Sequence, residues 1–173
     1  MSWTHPAYDA VIRLLGERTG LSFPPQRHES AEHGVRRAMA RAGATDPEEF
    51  LGLAARDARV LDDLVVELTV GETYFFRNEP QFQALEQHIL PELIARRRPS
   101  RQLRLWSAGC ASGEEPYSLA ILLERLLPDL ADWHILILAT DINPQVLARA
   151  KRGCYGEWSF RQTPAEIRDG RAR

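Results

Sequence analysis

Leu103-Arg104-Leu105-Trp106-Ser107-Ala108-Gly109-Cys110-Ala111-Ser112-Gly113-Glu114-Glu115-Pro116 is the stretch that decides the fold. It begins as a short strand, Leu103 to Trp106, turns through two glycines and enters a helical pattern from Pro116 to Leu127. His134-Ile135-Leu136-Ile137-Leu138-Ala139 follows as an unbroken apolar run, the pattern of a strand buried on both faces. Asn143-Pro144 then caps a helix that runs to about Lys151. Strand, turn, helix, strand, helix is a βαβ unit and predicts an α/β fold with a parallel sheet.

Upstream the period is helical. Tyr8, Val11, Ile12 and Leu15 recur at helical spacing up to Gly20, and Phe23-Pro24-Pro25 makes a turn. Ala31, Val35, Ala38, Met39 and Ala42 mark the next helix, closed by Gly43. Thr45-Asp46-Pro47-Glu48 reads as a helix start: a hydroxyl cap, a proline in the first turn and carboxylates near the positive helix end. Leu61, Leu64, Val65 and Leu68 carry the pattern on, which predicts a small helical domain over residues 1–68. A helix from Asn78 is expected to bury one face through Phe82, Leu85, Ile89 and Leu93, and Arg96-Arg97-Arg98-Pro99-Ser100 reads as a solvated linker.

At 173 residues there is room for one domain, or a small one and part of another. A net charge of −2 sets up no basic field for nucleic acid. No apolar run approaches the roughly 20 residues needed to span a bilayer. The Met1-Ser2-Trp3-Thr4-His5-Pro6 start is not that of a secretory signal. Cys110 and Cys154 lie far apart and outside any metal spacing. They read as small buried or half-buried groups in a reduced, cytoplasmic protein, with neither disulfide nor metal expected.

The candidate site gathers where the predicted strands end. Ala108-Gly109-Cys110-Ala111-Ser112-Gly113 stands where a strand meets its crossover helix, the ligand edge of a parallel sheet. It is not GxGxxG and no Lys-Ser/Thr follows, so a phosphate cradle is disfavoured. Glu114 and Glu115 would repel phosphates and suit a cationic ligand; otherwise they are acids stabilising a helix N-terminus. Asp141 closes the second strand, either accepting hydrogen bonds from a pair of ribose hydroxyls or capping the helix that follows. Before the sheet lies Thr69-Val70-Gly71-Glu72-Thr73-Tyr74-Phe75-Phe76-Arg77, rich in aromatic and β-branched residues and ending on a guanidinium. Arg77 can hold a carboxylate bidentately, or be a surface arginine near a helix start.

These three segments in this order, Thr69 to Arg77, Trp106 to Ser118 and Leu138-Ala139-Thr140-Asp141-Ile142-Asn143, resemble the chemotaxis receptor methyltransferases of the CheR family. The resemblance covers nearly the whole chain. It implies a helical CheR-type domain over 1–68, a linker helix with the aromatic active-site segment over 69–100, and over 101–173 the first part of a Rossmann-like α/β domain that binds S-adenosylmethionine. It implies methyl transfer to glutamate side chains of chemoreceptors, with S-adenosylhomocysteine as product. Asp141 matches the ribose-binding acid, Glu115 and Thr73 match cofactor-contacting residues, and Arg77 matches an arginine beside the transferred methyl, with Gly109 in the ligand-edge turn. Gly71 departs from the family's usual asparagine, which puts one cofactor hydrogen bond in doubt. Arg36, Arg37 and Arg41 would face the receptor's methylation helices, or form a solvated face; Gly34 stands where another basic residue is expected.

Only two strands are legible, so the β region is expected to have open edges, weak turnover and a tendency to self-associate. Two other readings stay open: a non-catalytic module that binds S-adenosylmethionine or a receptor, and a nucleotide-dependent oxidoreductase, which the Glu114-Glu115 pair disfavours.

Overall fold

The computed structural model describes residues 5–163, which divide into two units: 5–70 with 142–144, and 71–141 with 145–163.

The first unit is helical. Helix α1 (Pro6–Thr19) ends at Gly20, whose left-handed φ of 76° lets its N–H bond to Gly16 O at 2.8 Å. Helices α2 (His28–Ala42), α3 (Pro47–Arg56) and α4 (Ala58–Leu68) follow. Their apolar stripes enclose one core around Val11, Leu15, Val35, Phe50 and Leu64. The start of α3 differs from the expectation. Asp46 is its cap, with Oδ1 accepting from Glu49 N at 2.8 Å, while Thr45 N and Oγ1 both donate to Glu49 Oε2. The side chain of Asp46 reaches the orphan amide and leaves the threonine hydroxyl to the reciprocal bond.

Gly34 is a packing residue and not a missing base. A Cβ there would sit 2.6 Å from Leu68 Cδ2 and 3.1 Å from Glu67 O, so the glycine lets α2 and α4 approach closely. Arg36 pairs with Glu32 at 2.8 Å, and Arg37 and Arg41 both pair with Glu67.

The second unit begins within the aromatic segment, at Gly71, then has α5 (Glu79–Ala84), a five-residue π-helical turn (Leu85–Ile89) and α6 (Leu90–Arg97). The π turn overturns the expected apolar face. Pro91 has no N–H and its ring crowds the preceding turn, and the ladder opens so that Leu90 N–H bonds to Leu85 O. One extra residue in the turn rotates the stripe: Phe82 and Leu90 are buried with Ile94 packed beside them, whereas Ile89 and Leu93 are exposed.

Strands β1 (Gln102–Ala108) and β2 (His134–Thr140) pair in parallel, Gln102 opposite His134 through Ala108 opposite Thr140. Between them runs α7 (Glu114–Leu126), and α8 (Pro144–Arg152) follows β2. Leu103, Leu105, Ile135 and Ile137 point into the core with Leu119, Leu122 and Leu123 of α7. The opposite face is bare among the described residues: Trp106 is 68% exposed, Leu136 57% and Leu138 51%. The strand expected to be buried on both faces is thus covered on one, because side chains alternate across a strand and α6 and α7 pack on a single side. Most of the polar tail after Phe160 lies outside the described residues. No helix among them is long and apolar enough to cross a membrane.

Candidate functional site

The β1–α7 turn is held by backbone bonds to the end of β2. Gly109 N–H and Cys110 N–H both bond to Thr140 O, at 2.8 and 2.9 Å, tying the end of β1 to the end of β2. Gly109 takes φ 76° and Gly113 φ 99°. A Cβ on Gly109 would meet nothing within 4 Å, so the turn presents an open backbone edge there. A Cβ on Gly113 would collide with Tyr155 Oη at 2.7 Å and Ala150 Cβ at 2.8 Å, so that glycine serves packing.

Asp141 secures the same turn. Its Oδ2 accepts from Ala111 N at 2.8 Å, and Ala111 holds the strained φ of 47°. Glu115, half-buried in the first turn of α7, accepts from Ser107 Oγ at 2.5 Å. Asp141 and Glu115 therefore stand at the carboxyl ends of β2 and β1, the ligand edge of a parallel sheet.

The two adjacent glutamates separate in role. Glu114 is buried, and its carboxylate accepts from Ser112 Oγ at 2.7 Å and Ser159 Oγ at 3.0 Å. It is a structural group, and the cationic-ligand reading of the pair narrows to Glu115. Cys110 is buried, and desolvation with the nearby Asp141 charge pushes its thiol pKa up, which suppresses the reactive thiolate. Cys154 is exposed, against the expectation of at least partial burial, and lies past the end of α8. No group of His, Cys, Asp or Glu suited to a metal occurs among the described residues.

The aromatic segment belongs to this unit through its backbone. Phe76 N–H donates to Ser118 Oγ at 3.0 Å, and Ser118 in turn donates to Glu114 O at 2.7 Å. Phe75 N–H donates to Ser159 O at 2.9 Å, and the Phe75 ring stacks on Phe160 at 4.5 Å. Tyr155 Oη closes the arrangement on Ser112 O at 2.7 Å. Phe75 and Phe76 are buried, Thr73 is half-buried, and Gly71 lies against Val146, whose Cγ1 would be 2.9 Å from an added Cβ. Arg77 is exposed. Its guanidinium donates to Glu72 O and stands 5.9 Å from the Tyr74 ring centroid.

Of the residues singled out in the sequence, direct bonds thus join Gly109 and Asp141 to the turn and Glu115 to β1. The amides of Phe75 and Phe76, between Thr73 and Arg77, bond instead to Ser159 and Ser118, both of which bond to Glu114. Ser107, Ser118 and Ser159 were not foreseen. Ser107 carried a signal, a polar residue at an inward strand position; Ser159 carried none, since its partner is 45 residues away in the chain.

A cavity of about 300 Å³ lies elsewhere in the unit, among Pro116, Ala120, Ile137, Leu147 and Ala150. It sits against the sheet's side and includes neither Glu115 nor Asp141.

The family model of the CheR methyltransferase SAM binding domain matches residues 71–170. This chain belongs to that family. A probable chemotaxis protein methyltransferase of Rhizobium etli is 44% identical over 95 residues, 55% of this chain and 35% of that protein. The chemotaxis protein methyltransferase of Listeria monocytogenes is 43% identical over 114 residues, 66% and 40%. That of Borreliella burgdorferi is 39% identical over 152 residues, 85% and 54%. The chain spans roughly a third to a half of the length of these relatives.

CheR membership makes S-adenosylmethionine the ligand to test against this geometry. The donor set fits it: two carboxylates at the strand ends suit a sulfonium, an ammonium and a pair of hydroxyls, and the open glycine edge admits close approach.

Proposed function

We propose that the protein transfers the methyl group of S-adenosylmethionine to glutamate side chains of a chemoreceptor, and that the β1–β2 pair is the first part of a Rossmann-like sheet. The observation that carries the reading is the convergence of Glu115, Asp141 and the open Gly109 edge at the strand ends, with the segment ending in Arg77 bonded to the same helix. The ligand, when bound, supplies a methyl carbon made electrophilic by its sulfonium.

This chain's own residues do the rest. Asp141 accepts from the ribose hydroxyls with the carboxylate that also holds Ala111. Glu115 faces the cationic end, and Thr73 contacts the cofactor from the aromatic segment. Gly71 offers only backbone. Arg77 fixes the acceptor carboxylate as an ionised nucleophile by a planar, bidentate contact and aims it at the methyl carbon. The oxygen–carbon bond forms as the carbon–sulfur bond breaks, and the electron pair leaves with the sulfur. The receptor's methylation helices are the proposed partner; Arg36, Arg37 and Arg41 of α2, already paired with Glu32 and Glu67 but still half-exposed, form the cationic face proposed to meet them.

A non-catalytic module that binds S-adenosylmethionine or a receptor is the competing reading. Calorimetric titration of the full-length protein with S-adenosylmethionine, run beside a labelled methyl-transfer assay on a receptor fragment, separates them. Binding with transfer supports the enzyme. Binding without transfer contradicts it in favour of the module.

A further inference from the structure

We propose that Arg161 is a positioning residue for the methyl-transfer step, acting through Tyr74 and Glu72 on Arg77. The inference rests on the function proposed above. Its starting point is how this one arginine is held. Its side chain is 17% exposed, whereas the arginines of the other ion pairs among the described residues range from 36% to 93%. The guanidinium carbon lies 4.0 Å from the Tyr74 ring centroid and 4.8 Å from that of Trp158, well inside the roughly 6 Å reach of a cation–π contact. One nitrogen donates to Trp158 O at 2.9 Å and another to Glu72 Oε1 at 3.3 Å.

Arg77 rests on the same two residues. It donates to the Glu72 carbonyl and lies against the Tyr74 ring. From the end of the Glu157–Phe160 turn, Arg161 thus contacts the Tyr74 ring that Arg77 also lies against, and the side-chain carboxylate of Glu72, whose backbone carbonyl accepts from Arg77. That turn is itself fixed, by Ser159 to Glu114 and by Phe160 stacked on Phe75. Glu72 is 65% exposed, so its ion pair with Arg161 is screened and weak. The contacts to the two rings, with the bond to Trp158 O, are what hold the guanidinium, and the compact ammonium of a lysine cannot reproduce them. A displacement of about 1 Å at an orienting group costs on the order of a hundredfold in rate.

The test compares Arg161→Lys and Arg161→Ala with wild type in the full-length protein, reading kcat, KM for S-adenosylmethionine and the Nε–Hε resonance of Arg77. In both variants kcat is expected to fall by about tenfold or more while KM for S-adenosylmethionine stays within about threefold, and the Arg77 resonance is expected to shift. Wild-type kcat in Arg161→Lys, an unmoved Arg77 resonance in either variant, or a loss of cofactor affinity matching the loss of kcat overturns the proposal. Should Arg161→Ala fail to fold, Arg161→Lys, which keeps length and charge, decides alone. The resonance is read without turnover. A wild-type protein that transfers no methyl group therefore refutes the proposed function, while the Arg161–Arg77 coupling is judged separately by the shift.

Discussion

One observed contact and one proposed role fall on the carboxylate of Asp141, and substitutions can separate them. It holds the amide of Ala111, a residue at φ 47°, and it is the proposed ribose ligand. Asp141→Asn keeps an acceptor for that amide but loses the charge. We expect it to retain the melting temperature while S-adenosylmethionine affinity falls by about 1–3 kcal/mol, the scale of a charged hydrogen bond. Asp141→Ala is expected to lower both, because the strained turn then loses its anchor as well. Unchanged affinity by calorimetry in both variants removes Asp141 from the ribose role. Gly34 is a second residue whose chemistry is all backbone. Gly34→Ala gains about 1 kcal/mol of helix propensity. It also forces a Cβ to 3.1 Å from Glu67 O, a backbone atom that cannot swing away as Leu68 Cδ2 can. Overpacking costs about 1–3 kcal/mol, so the net expectation is a modest loss of stability; a denaturant midpoint above wild type contradicts it.

Among the elements, the π-helical turn before Pro91 shows where periodicity stops being a guide. A 3.6-residue stripe through Phe82, Leu85, Ile89 and Leu93 is correct for its first half only. Nothing in the spacing of apolar residues announces an inserted residue, although Pro91 four positions after Gln87 is a physical reason to look for one. The consequence is measurable. Leu90→Ala is expected to cost about 2–5 kcal/mol and Ile89→Ala less than about 1 kcal/mol; equal costs in chemical denaturation contradict the shifted register. By contrast α1 and α2 were legible, because Gly20 and Gly43 stop helices whose buried faces keep an unbroken period. The turn that follows α8 makes a different expectation. Burial, then the Glu114 charge, pushes the Tyr155 hydroxyl pKa from 10.0 up to about 12. The folded state therefore holds this proton more tightly than the unfolded chain. The stabilisation is fully present below pH 10 and is lost as pH rises through about 12. Tyr155→Phe is expected to flatten that alkaline fall in stability relative to wild type, and an identical slope argues against the buried hydroxyl as its source.

At the scale of the whole molecule, the strand–turn–helix–strand order was readable because glycines, apolar runs and a strand-end acid each sit at a forced position. The covering of the sheet was not. An apolar run such as Ile135 to Leu138 says that a strand wants burial, and not which side receives it. Nor could local pattern show that Phe75 pairs with a segment more than 80 residues downstream, through Ser159 and Phe160. That long-range clamp makes Arg77 part of the same unit as Glu115 and Asp141. The claim that this unit methylates a carboxylate oriented by Arg77 is tested most directly by labelled methyl transfer from S-adenosylmethionine to a receptor methylation fragment, comparing full-length wild type with Arg77→Ala and Arg77→Lys. The expected result is base-labile label on receptor glutamates with wild type, and transfer lower by about a hundredfold or more in both variants while cofactor affinity falls far less. Full transfer by Arg77→Ala, or no transfer by wild type, contradicts it.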